Sequence, residues 1–392
     1  MSALFKKFLQ EATRLTQAGN LQDATRAIQQ ALGRIAPNAA ARAPFAAPPT
    51  APSTAPSAPP STPWTIDGCV TEVDTVADVS DNATPIHRPV VEPVHPLHVP
   101  DQPASNDGPG EFSAAEFTHA GTTRAYKLYT PPHAIQQPAR PLPLVLMLHG
   151  CTQNPDDFAT GTGMNALAQE HGFLVLYPAQ NQAANSHRCW NWFKPEDQRR
   201  DSGEPAWLAA LVKQVAQQRA VDPRQIYVAG LSAGGAMASI LGHTHPDLFA
   251  AVGVHSGLAC GVANNVISAL SVMKNGRSPA GAASSLPTIV FHGDADATVH
   301  PSNGETVLQT VIGQGATVPQ ANQGTAAGGQ SYTRTTYQTA DGNSLAEYWK
   351  LHGAGHAWSG GNRAGTYTDP QGPDASAEMW RFFQAHPRKT LH

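Results

Sequence analysis

The segment 230–234, with the sequence GLSAG, has the residue types of a nucleophilic turn. It directly follows the β-type apolar run 226–229 and precedes a helical stretch that is rich in small residues. Glycines on either side of a serine allow a strained strand-to-helix turn that lifts the hydroxyl out of the carboxyl edge of a sheet. We therefore predict that Ser232 is a nucleophile, in preference to a simple glycine-rich turn.

A serine hydroxyl is a weak nucleophile at neutral pH, so it requires a histidine base whose tautomer is held by a carboxylate. A turn with two carboxylates, Asp294 and Asp296, follows the apolar run 288–291. We assign the acid to Asp296, because it stands just before the chain re-enters the core. Asp294 is expected to hydrogen-bond the loop backbone.

Two histidines follow the later predicted strand 346–351. His356 stands in a loop between two small residues, which leaves room for its imidazole to reach Ser232, and we predict that it is the base. His352 stands at the strand end and is predicted to be structural. The resulting order of serine, acid and histidine is the order found in α/β-hydrolases.

Two backbone N–H groups are expected to stabilise the oxyanion that forms when a carbonyl is attacked. One belongs to Ala233, directly after the nucleophile, and the other to Cys151, in the loop after the apolar run 144–148. The sequence shows no phosphate-binding glycine loop and no cluster of metal ligands. We therefore expect covalent catalysis without a cofactor or a metal.

Aromatic residues are concentrated in the segment 187–193, HRCWNWF, of a chain that is only 7% aromatic. Trp190 and Trp192 either line an acyl-binding or polymer-binding cleft or pack in the core. Trp358, two residues past the predicted base, is a further candidate for a cleft wall. We also hypothesise that Cys189 forms a disulfide with Cys151, which would pin this aromatic loop beside the oxyanion donors.

Short apolar runs alternate with helical stretches from about residue 111 onward. This alternation predicts an α/β fold with a mostly parallel central sheet flanked by helices. The predicted strands are 125–129, 144–148, 173–177, 226–229, 251–254, 288–291 and 346–351. The predicted helices are 164–171, 206–219, 234–243 and 375–385. The segment 312–334 is rich in Gly, Gln, Thr and Ala and is predicted to be a long surface excursion.

Two further regions precede this predicted catalytic domain, which we place at 111–388. In 1–36, apolar residues recur at helical intervals around a break at Gly19, which predicts a helical hairpin that must pack on something else. We expect it to dock on its own domain, to mediate self-association or to contact a polymer. Between Pro37 and Pro109 lie 16 of the 34 prolines, so 37–110 is predicted to be a largely disordered linker.

Composition excludes several other classes of function. The 25 Lys and Arg residues balance 29 Asp and Glu residues, which leaves no basic face for nucleic acid. The apolar runs are far shorter than the ~20 residues of a membrane span. The N-terminus shows neither the apolar core nor the cleavage site of a secretory signal, so a cytoplasmic location is the default expectation.

Six ordered segments together resemble the polyhydroxybutyrate (PHB) depolymerase family of esterases, which is close to the feruloyl and acetylxylan esterases of carbohydrate esterase family 1. The segments are HGCTQNPDDFATGTGMNALA, RCWNWF, GLSAGGAMAS, HGDADATVHP, GAGHAWSGG and TYTDPQGPDASAEMWRFF. The resemblance covers roughly 111–386 and implies an α/β-hydrolase fold and hydrolysis of carboxylic esters, particularly short-chain 3-hydroxyalkanoate polyesters or their oligomers. The family pattern assigns its triad, oxyanion donors and cleft aromatics to Ser232, Asp296, His356, Cys151, Ala233, Trp190 and Trp192.

Two alternatives to polyester hydrolysis remain open from the sequence. The same triad would serve a feruloyl or acetylxylan esterase acting on plant polysaccharide equally well. A non-catalytic binding or adhesion protein on a hydrolase fold is disfavoured, because binding does not require a serine, an acid and a histidine in catalytic order. The resemblance makes an extracellular location the alternative to the cytoplasm.

Overall fold

The structure, a computed structural model, describes residues 109–278, 284–313, 319–339, 342 and 344–389. The helical hairpin predicted for 1–36 and nearly all of the linker predicted for 37–110 lie outside these residues. Within the described ranges, no helix combines the length and the apolar character that a membrane crossing demands.

Among the described residues, ten strands form one large sheet, and two short strands pair separately. In chain order the strands are β1 (Glu111–His119), β2 (Thr122–Thr130), β3 (Leu142–Leu148), β4 (Leu174–Pro178), β5 (Val221–Leu231), β6 (Ala251–His255), β7 (Thr288–Gly293), β8 (Gln320–Thr325), β9 (Ser331–Gln338), β10 (Ser344–Leu351), β11 (Trp358–Ser359) and β12 (Thr368–Asp369). The order across the large sheet is β1-β2-β4-β3-β5-β6-β7-β10-β9-β8. The middle strands of this order, β4-β3-β5-β6-β7-β10, run parallel to one another. At each end of the sheet two further strands are added by antiparallel pairing.

The central strands are apolar on both faces because both faces of the sheet are covered. In β3, Leu144 and Leu146 point into one hydrophobic core, and Val145 and Met147 point into the other. All four side chains are fully buried. This is the pattern expected of parallel strands enclosed between two helical layers.

The helices are α1 (Pro132–Gln136), α2 (Pro155–Thr162), α3 (Met164–His171), α4 (Gly203–Gln218), α5 (Ala233–Thr244), α6 (Val266–Asn275), α7 (Ser302–Ile312) and α8 (Ala375–Gln384). Helices α4 to α7 contribute to the core on one face of the sheet, and α2, α3 and α8 contribute to the core on the other. The three layers confirm the predicted α/β class. They place the carboxyl ends of the parallel strands, and the loops after them, along one edge.

The prediction that 312–334 is a long surface excursion is wrong over most of the described part of this segment, which forms strands. Its first residue ends α7, and the rest includes β8 and the start of β9, which extend the sheet beyond β10. The β9 side chains are mostly Thr, Tyr and Arg and are only half-buried, so the segment shows no apolar alternation. Its high content of β-branched and aromatic residues was the available signal. Helices α1, α2, α6 and α7 were also not predicted.

Candidate active site

Ser232 occupies a tight turn between β5 and α5. Its backbone has φ 57° and ψ −118°, a conformation that non-glycine residues rarely adopt. Gly234 makes the turn possible, because a Cβ atom there would lie 2.0 Å from the carbonyl oxygen of Leu148. The Ser232 N–H donates to the carbonyl oxygen of His255 at 2.9 Å, which ties the turn to the end of β6. Ser232 thus has the strand-turn-helix setting that the sequence predicts.

The two predicted oxyanion donors come from segments that meet at this turn. A Cβ atom placed on Gly150 would lie 3.6 Å from Ser232 Cβ, so the loop after β3 passes directly beside the serine. Within the described part of the chain, neither the Cys151 N–H nor the Ala233 N–H donates to another residue. Both groups therefore remain available to an oxyanion.

Asp296 is buried and pairs with the half-buried His356, whose Nδ1 donates to Asp296 Oδ2 at 2.7 Å. The other carboxylate oxygen, Oδ1, accepts the N–H groups of Thr298 and Val299, each at 2.9 Å. Burial alone would raise the pKa of the Asp296 carboxyl, but the hydrogen bonds from His356 and from the Val299 N–H lower it below its ordinary value. An ionised Asp296 holds the His356 proton on Nδ1 and leaves Nε2 as an acceptor.

The structure does not show the contact between the serine and the histidine that proton transfer requires. The Ser232 hydroxyl makes no hydrogen bond to any residue in the described ranges, and neither does His356 Nε2. His255 lies next to the Ser232 turn. Its carbonyl oxygen holds the Ser232 N–H, and its pKa is lowered to about 3 by burial and, more weakly, by the nearby His292 and His356. Catalytic hydrogen bonds are often long in unliganded enzymes and shorten when substrate binds.

His149 orients the loop that carries Cys151, a role that the sequence analysis did not identify. Its Nε2 accepts the Gln180 N–H at 3.1 Å, and its Nδ1 lies 2.7 Å from the Gly150 carbonyl oxygen. Because a backbone N–H can only donate, the ring proton must sit on Nδ1. Burial lowers the pKa of His149 to about 4, so the neutral ring keeps this arrangement at neutral pH.

Gln153 holds the same loop from the opposite side. Its side-chain oxygen accepts the Gly150 N–H at 2.9 Å, and its amide nitrogen donates to Asp157 Oδ2 at 2.9 Å and to the Thr366 carbonyl oxygen at 3.0 Å. Gln153 is only 2% exposed. A glutamine two residues after a predicted oxyanion donor was the available sequence signal.

Asp294 and His352, considered and rejected for catalysis, also pair with each other. His352 Nδ1 lies 2.9 Å from Asp294 Oδ2, and its Nε2 lies 2.8 Å from the Thr333 hydroxyl. Asp294 Oδ1 accepts the Gly353 N–H at 2.6 Å, which matches the predicted backbone contact. The pair joins the loops after β7 and β10.

Cys151 and Cys189 form a disulfide, the pairing that the sequence suggested. The bond joins the loop after β3 to the aromatic segment 187–193. Cys260 is the free cysteine among the described residues.

The structure does not place the three predicted cleft tryptophans on an exposed wall. Trp190 and Trp192 belong to a hydrophobic core, and the Trp190 indole N–H donates to the His149 carbonyl oxygen at 3.1 Å. The Trp358 ring stacks on His255 and is 1% exposed. For these residues the core-packing interpretation fits, because each ring is buried in a hydrophobic core.

The described residues contain no group of three or more His, Cys, Asp or Glu side chains with an arrangement suited to a metal ion. The histidines near Ser232 instead bond to carboxylates, backbone groups and hydroxyls.

Comparison with known proteins identifies a family match and several relatives of this chain. Residues 124–327 match the family described as esterase PHB depolymerase. Poly(3-hydroxyalkanoate) depolymerase C of Paucimonas lemoignei is 34% identical over 244 residues, which cover 57% of this chain and 58% of that protein. A probable acetylxylan esterase A of Neosartorya fischeri is 29% identical over 220 residues, covering 50% of this chain and 58% of that protein. The chain thus spans 58% of the length of each relative.

A solved structure shows the same fold. The acetyl xylan esterase from Aspergillus awamori superposes with a TM-score of 0.54 at 19% identity, covering 70% of this chain and 99% of that one. At this identity the likeness concerns architecture alone. The family match extends over more than half of the chain, through the turn that carries Ser232 and the loop that carries Asp296, and the chain belongs to the esterase PHB depolymerase family.

Proposed function

We propose that this chain is a serine esterase that hydrolyses short-chain poly(3-hydroxyalkanoate) polyester or its oligomers through an acyl-enzyme on Ser232. The observation that carries the proposal is the hydrogen-bonded Asp296–His356 pair on the loops after β7 and β10, at the edge where the Ser232 turn lies. Family membership supports the same reaction class.

The proposed reaction assigns one task to each group. His356 Nε2 takes the proton of the Ser232 hydroxyl as its oxygen attacks the ester carbonyl, and Asp296 stabilises the resulting imidazolium. The Cys151 and Ala233 N–H groups donate to the oxyanion. His356 then returns the proton to the departing alkoxide, which leaves an acyl-enzyme. A water molecule, activated by His356, releases the acid and restores Ser232.

Polyester is favoured as the substrate by the relatives and by one surface feature. The relative from Paucimonas is named for poly(3-hydroxyalkanoate). Helix α6 exposes Val266, Ile267 and Leu270, with Ile267 76% exposed. This helix adjoins the acid loop, because the His300 N–H donates to the Met273 carbonyl oxygen at 2.7 Å. An exposed apolar patch on a helix that adjoins the acid loop suits contact with an apolar polymer better than contact with a polar saccharide.

Hydrolysis of acetyl or feruloyl esters on plant polysaccharide is the second candidate. It is favoured by the relative named as a probable acetylxylan esterase, which matches about half of this chain. The proposed chemistry at Ser232 would be identical, and only the leaving alcohol and acyl group would differ.

The first test measures release of products from a PHB suspension, methyl ferulate and acetylated xylan. Wild type is compared with Ser232→Ala and with Ser113→Ala, a control serine in β1. We expect polyester turnover that falls about 10⁴-fold or more in Ser232→Ala and is unchanged in Ser113→Ala. Preferred release of ferulate or acetate would contradict the polyester proposal and support the second candidate.

A fluorophosphonate probe separates both esterases from a binding protein. Labelling of wild type and Ser113→Ala, but not of Ser232→Ala, is expected of an activated serine. An unlabelled, folded wild type would overturn the esterase proposal and support the non-catalytic alternative.

A further inference from the structure

Glu204 is a buried glutamate in the first turn of α4, and it has no task in the proposed reaction. Its side chain is carried on a residue that is only 2% exposed. The Glu204 N–H donates to Asp197 Oδ1 at 2.7 Å, which fixes the start of the helix. The N-terminal turn of a helix favours a negative charge. A carboxylate buried this deeply nevertheless requires hydrogen-bond donors around it.

The donors to Glu204 come from three separate segments of the chain. Oε1 accepts from the side-chain amides of Gln180 and Asn191, the latter at 2.8 Å, and Oε2 accepts the Asn191 backbone N–H at 2.7 Å. The guanidinium of Arg124, on β2, donates to Oε1 at 3.5 Å. Among the described residues, the carboxylate oxygens are thus surrounded by donors alone. Only a group that accepts at both oxygens fits this position.

Gln180 connects Glu204 to the peptide group that carries a proposed oxyanion donor. The Gln180 side chain binds Glu204, while its backbone N–H donates to His149 Nε2 at 3.1 Å. This contact keeps the ring proton on Nδ1, which donates to the Gly150 carbonyl oxygen at 2.7 Å. That carbonyl and the Cys151 N–H belong to one planar peptide group. The His149 ring therefore sets the direction of the Cys151 N–H.

Asn191 provides a second connection from Glu204 to His149. Both Asn191 donors bind Glu204, which fixes the backbone next to Trp190. The Trp190 indole N–H donates to the His149 carbonyl oxygen at 3.1 Å, and the two rings lie 5.6 Å apart between centroids. Gln180 thus holds the ring of His149, and Trp190 holds its main chain. Glu204 binds both of the segments that do so.

We propose that Glu204 is a positioning residue for the oxyanion hole, and that it acts through Gln180 and His149. The inference deepens the proposed function and rests on it. Replacing the carboxylate by an amide places a donor among donors, so buried N–H groups lose their acceptor and the segment of Gln180 shifts. Without the Gln180 N–H, the proton of His149 is no longer confined to Nδ1. The Gly150 carbonyl then loses its donor, and the peptide of Cys151 loses its fixed orientation.

The test compares wild type with Glu204→Gln, Gln180→Met and the control Glu196→Gln. Gln180→Met keeps an unbranched side chain of similar length but removes the donor to Glu204. Glu196 is an exposed glutamate in the segment before α4, and its side chain makes no hydrogen bond within the described residues. The readouts are hydrolysis of a soluble p-nitrophenyl ester and inhibition by phenylboronic acid. The tetrahedral adduct of this inhibitor with a serine places an oxygen in the oxyanion hole, as the transition state does.

The expected losses follow from a misdirected donor. In Glu204→Gln, kcat should fall between about 10-fold and 10²-fold, and the Ki of the boronic acid should rise by a similar factor. In Gln180→Met both changes should be about 3-fold to 10-fold. KM should stay within about threefold of wild type in both variants, because the oxyanion forms only after the ester is attacked. Glu196→Gln should match wild type in kcat, KM and Ki.

The boronic acid separates positioning from stability, because a smaller folded fraction lowers the apparent kcat but leaves Ki unchanged. A folded Glu204→Gln with the kcat and Ki of wild type would overturn the inference, and so would a loss of kcat without a rise in Ki. If Glu204→Gln does not fold, Gln180→Met decides by the same criteria. A wild type that neither hydrolyses the ester nor reacts with a fluorophosphonate probe would instead overturn the proposed function.

Discussion

Two aspartate–histidine pairs join the same two loops, yet they differ in what they can do. Asp294 pairs with His352 at 2.9 Å, and Asp296 pairs with His356 at 2.7 Å. The residue types, the loops and the contact lengths are nearly the same. The side chains of the first pair are each 37% exposed, whereas those of Asp296 and His356 are 0% and 11% exposed.

The two pairs differ at the second imidazole nitrogen. In His352 it lies 2.8 Å from the Thr333 hydroxyl, so both ring nitrogens have partners. In His356 the corresponding nitrogen has no partner in the described ranges. A general base needs a free nitrogen to accept a proton. An aspartate–histidine pair is therefore suited to catalysis only when its distal nitrogen is left free, and the first pair acts as a clamp between loops.

The largest expected effect is the difference in kcat between variants that neutralise one or the other carboxylate. Asp296→Asn should lower kcat about 10⁴-fold, because the amide cannot stabilise the imidazolium and favours the wrong tautomer. Asp294→Asn changes the same chemical group two residues away and should leave kcat within about threefold, since it acts on the clamp alone. Steady-state kinetics on a soluble ester measures both. Equal losses in the two folded variants would contradict the assignment of the acid.

A smaller effect is expected on the pH dependence of stability. The pKa of the Asp296 carboxyl is lower in the folded chain than its ordinary value of 3.8, so its ionised form favours folding. This stabilisation is complete well above pH 3.8 and is lost as pH falls through the folded pKa. Relative to Asp296→Asn, wild type should be more stable by about 1–3 kcal/mol at pH 6, with the difference shrinking toward pH 3.

Urea unfolding at pH 6, 5, 4 and 3 measures this difference, and Asp294→Asn provides the matched control. The pKa of Asp294 is also lowered, by the hydrogen bonds from His352 and Gly353 against an opposing effect of burial. Its exposure to solvent should limit the corresponding difference to about 1 kcal/mol or less, and added salt should reduce it. A constant difference between wild type and Asp296→Asn down to pH 3 would contradict the lowered pKa.

The smallest effect is expected from Thr333→Val, which removes the partner of His352 Nε2. The free energy of unfolding should fall by about 0.5–1.5 kcal/mol, the usual contribution of a single hydrogen bond, with kcat unchanged. Denaturant unfolding and ester hydrolysis on the same preparation measure both quantities. A large loss of kcat in this variant would show that the clamp also positions the loop of His356.

The order of Ser232, Asp296 and His356 and their loops could be predicted because the signals are local. The turn at Ser232 is specified by residues adjacent in sequence, namely the flanking glycines, the apolar run before them and the helix of small residues after them. The choice of Asp296 over Asp294 was harder, since both stand in one turn. Two facts distinguish Asp296: its carboxylate is buried, and it accepts two backbone N–H groups. Its burial depends on how the loops after β7 and β10 pack together.

The sequence by itself determined the α/β class, the family and the strand-turn-helix setting of Ser232. Each of these depends on residue types or spacing within short segments, where covalent geometry and local apolar periodicity are sufficient. Only the tertiary structure decided that Trp358 is buried, that β8 and β9 extend the sheet, and that His149 and Gln153 hold the oxyanion loop. Gln153 bonds a residue 213 positions away, and such contacts arise only when the folded sheet brings distant loops to one edge.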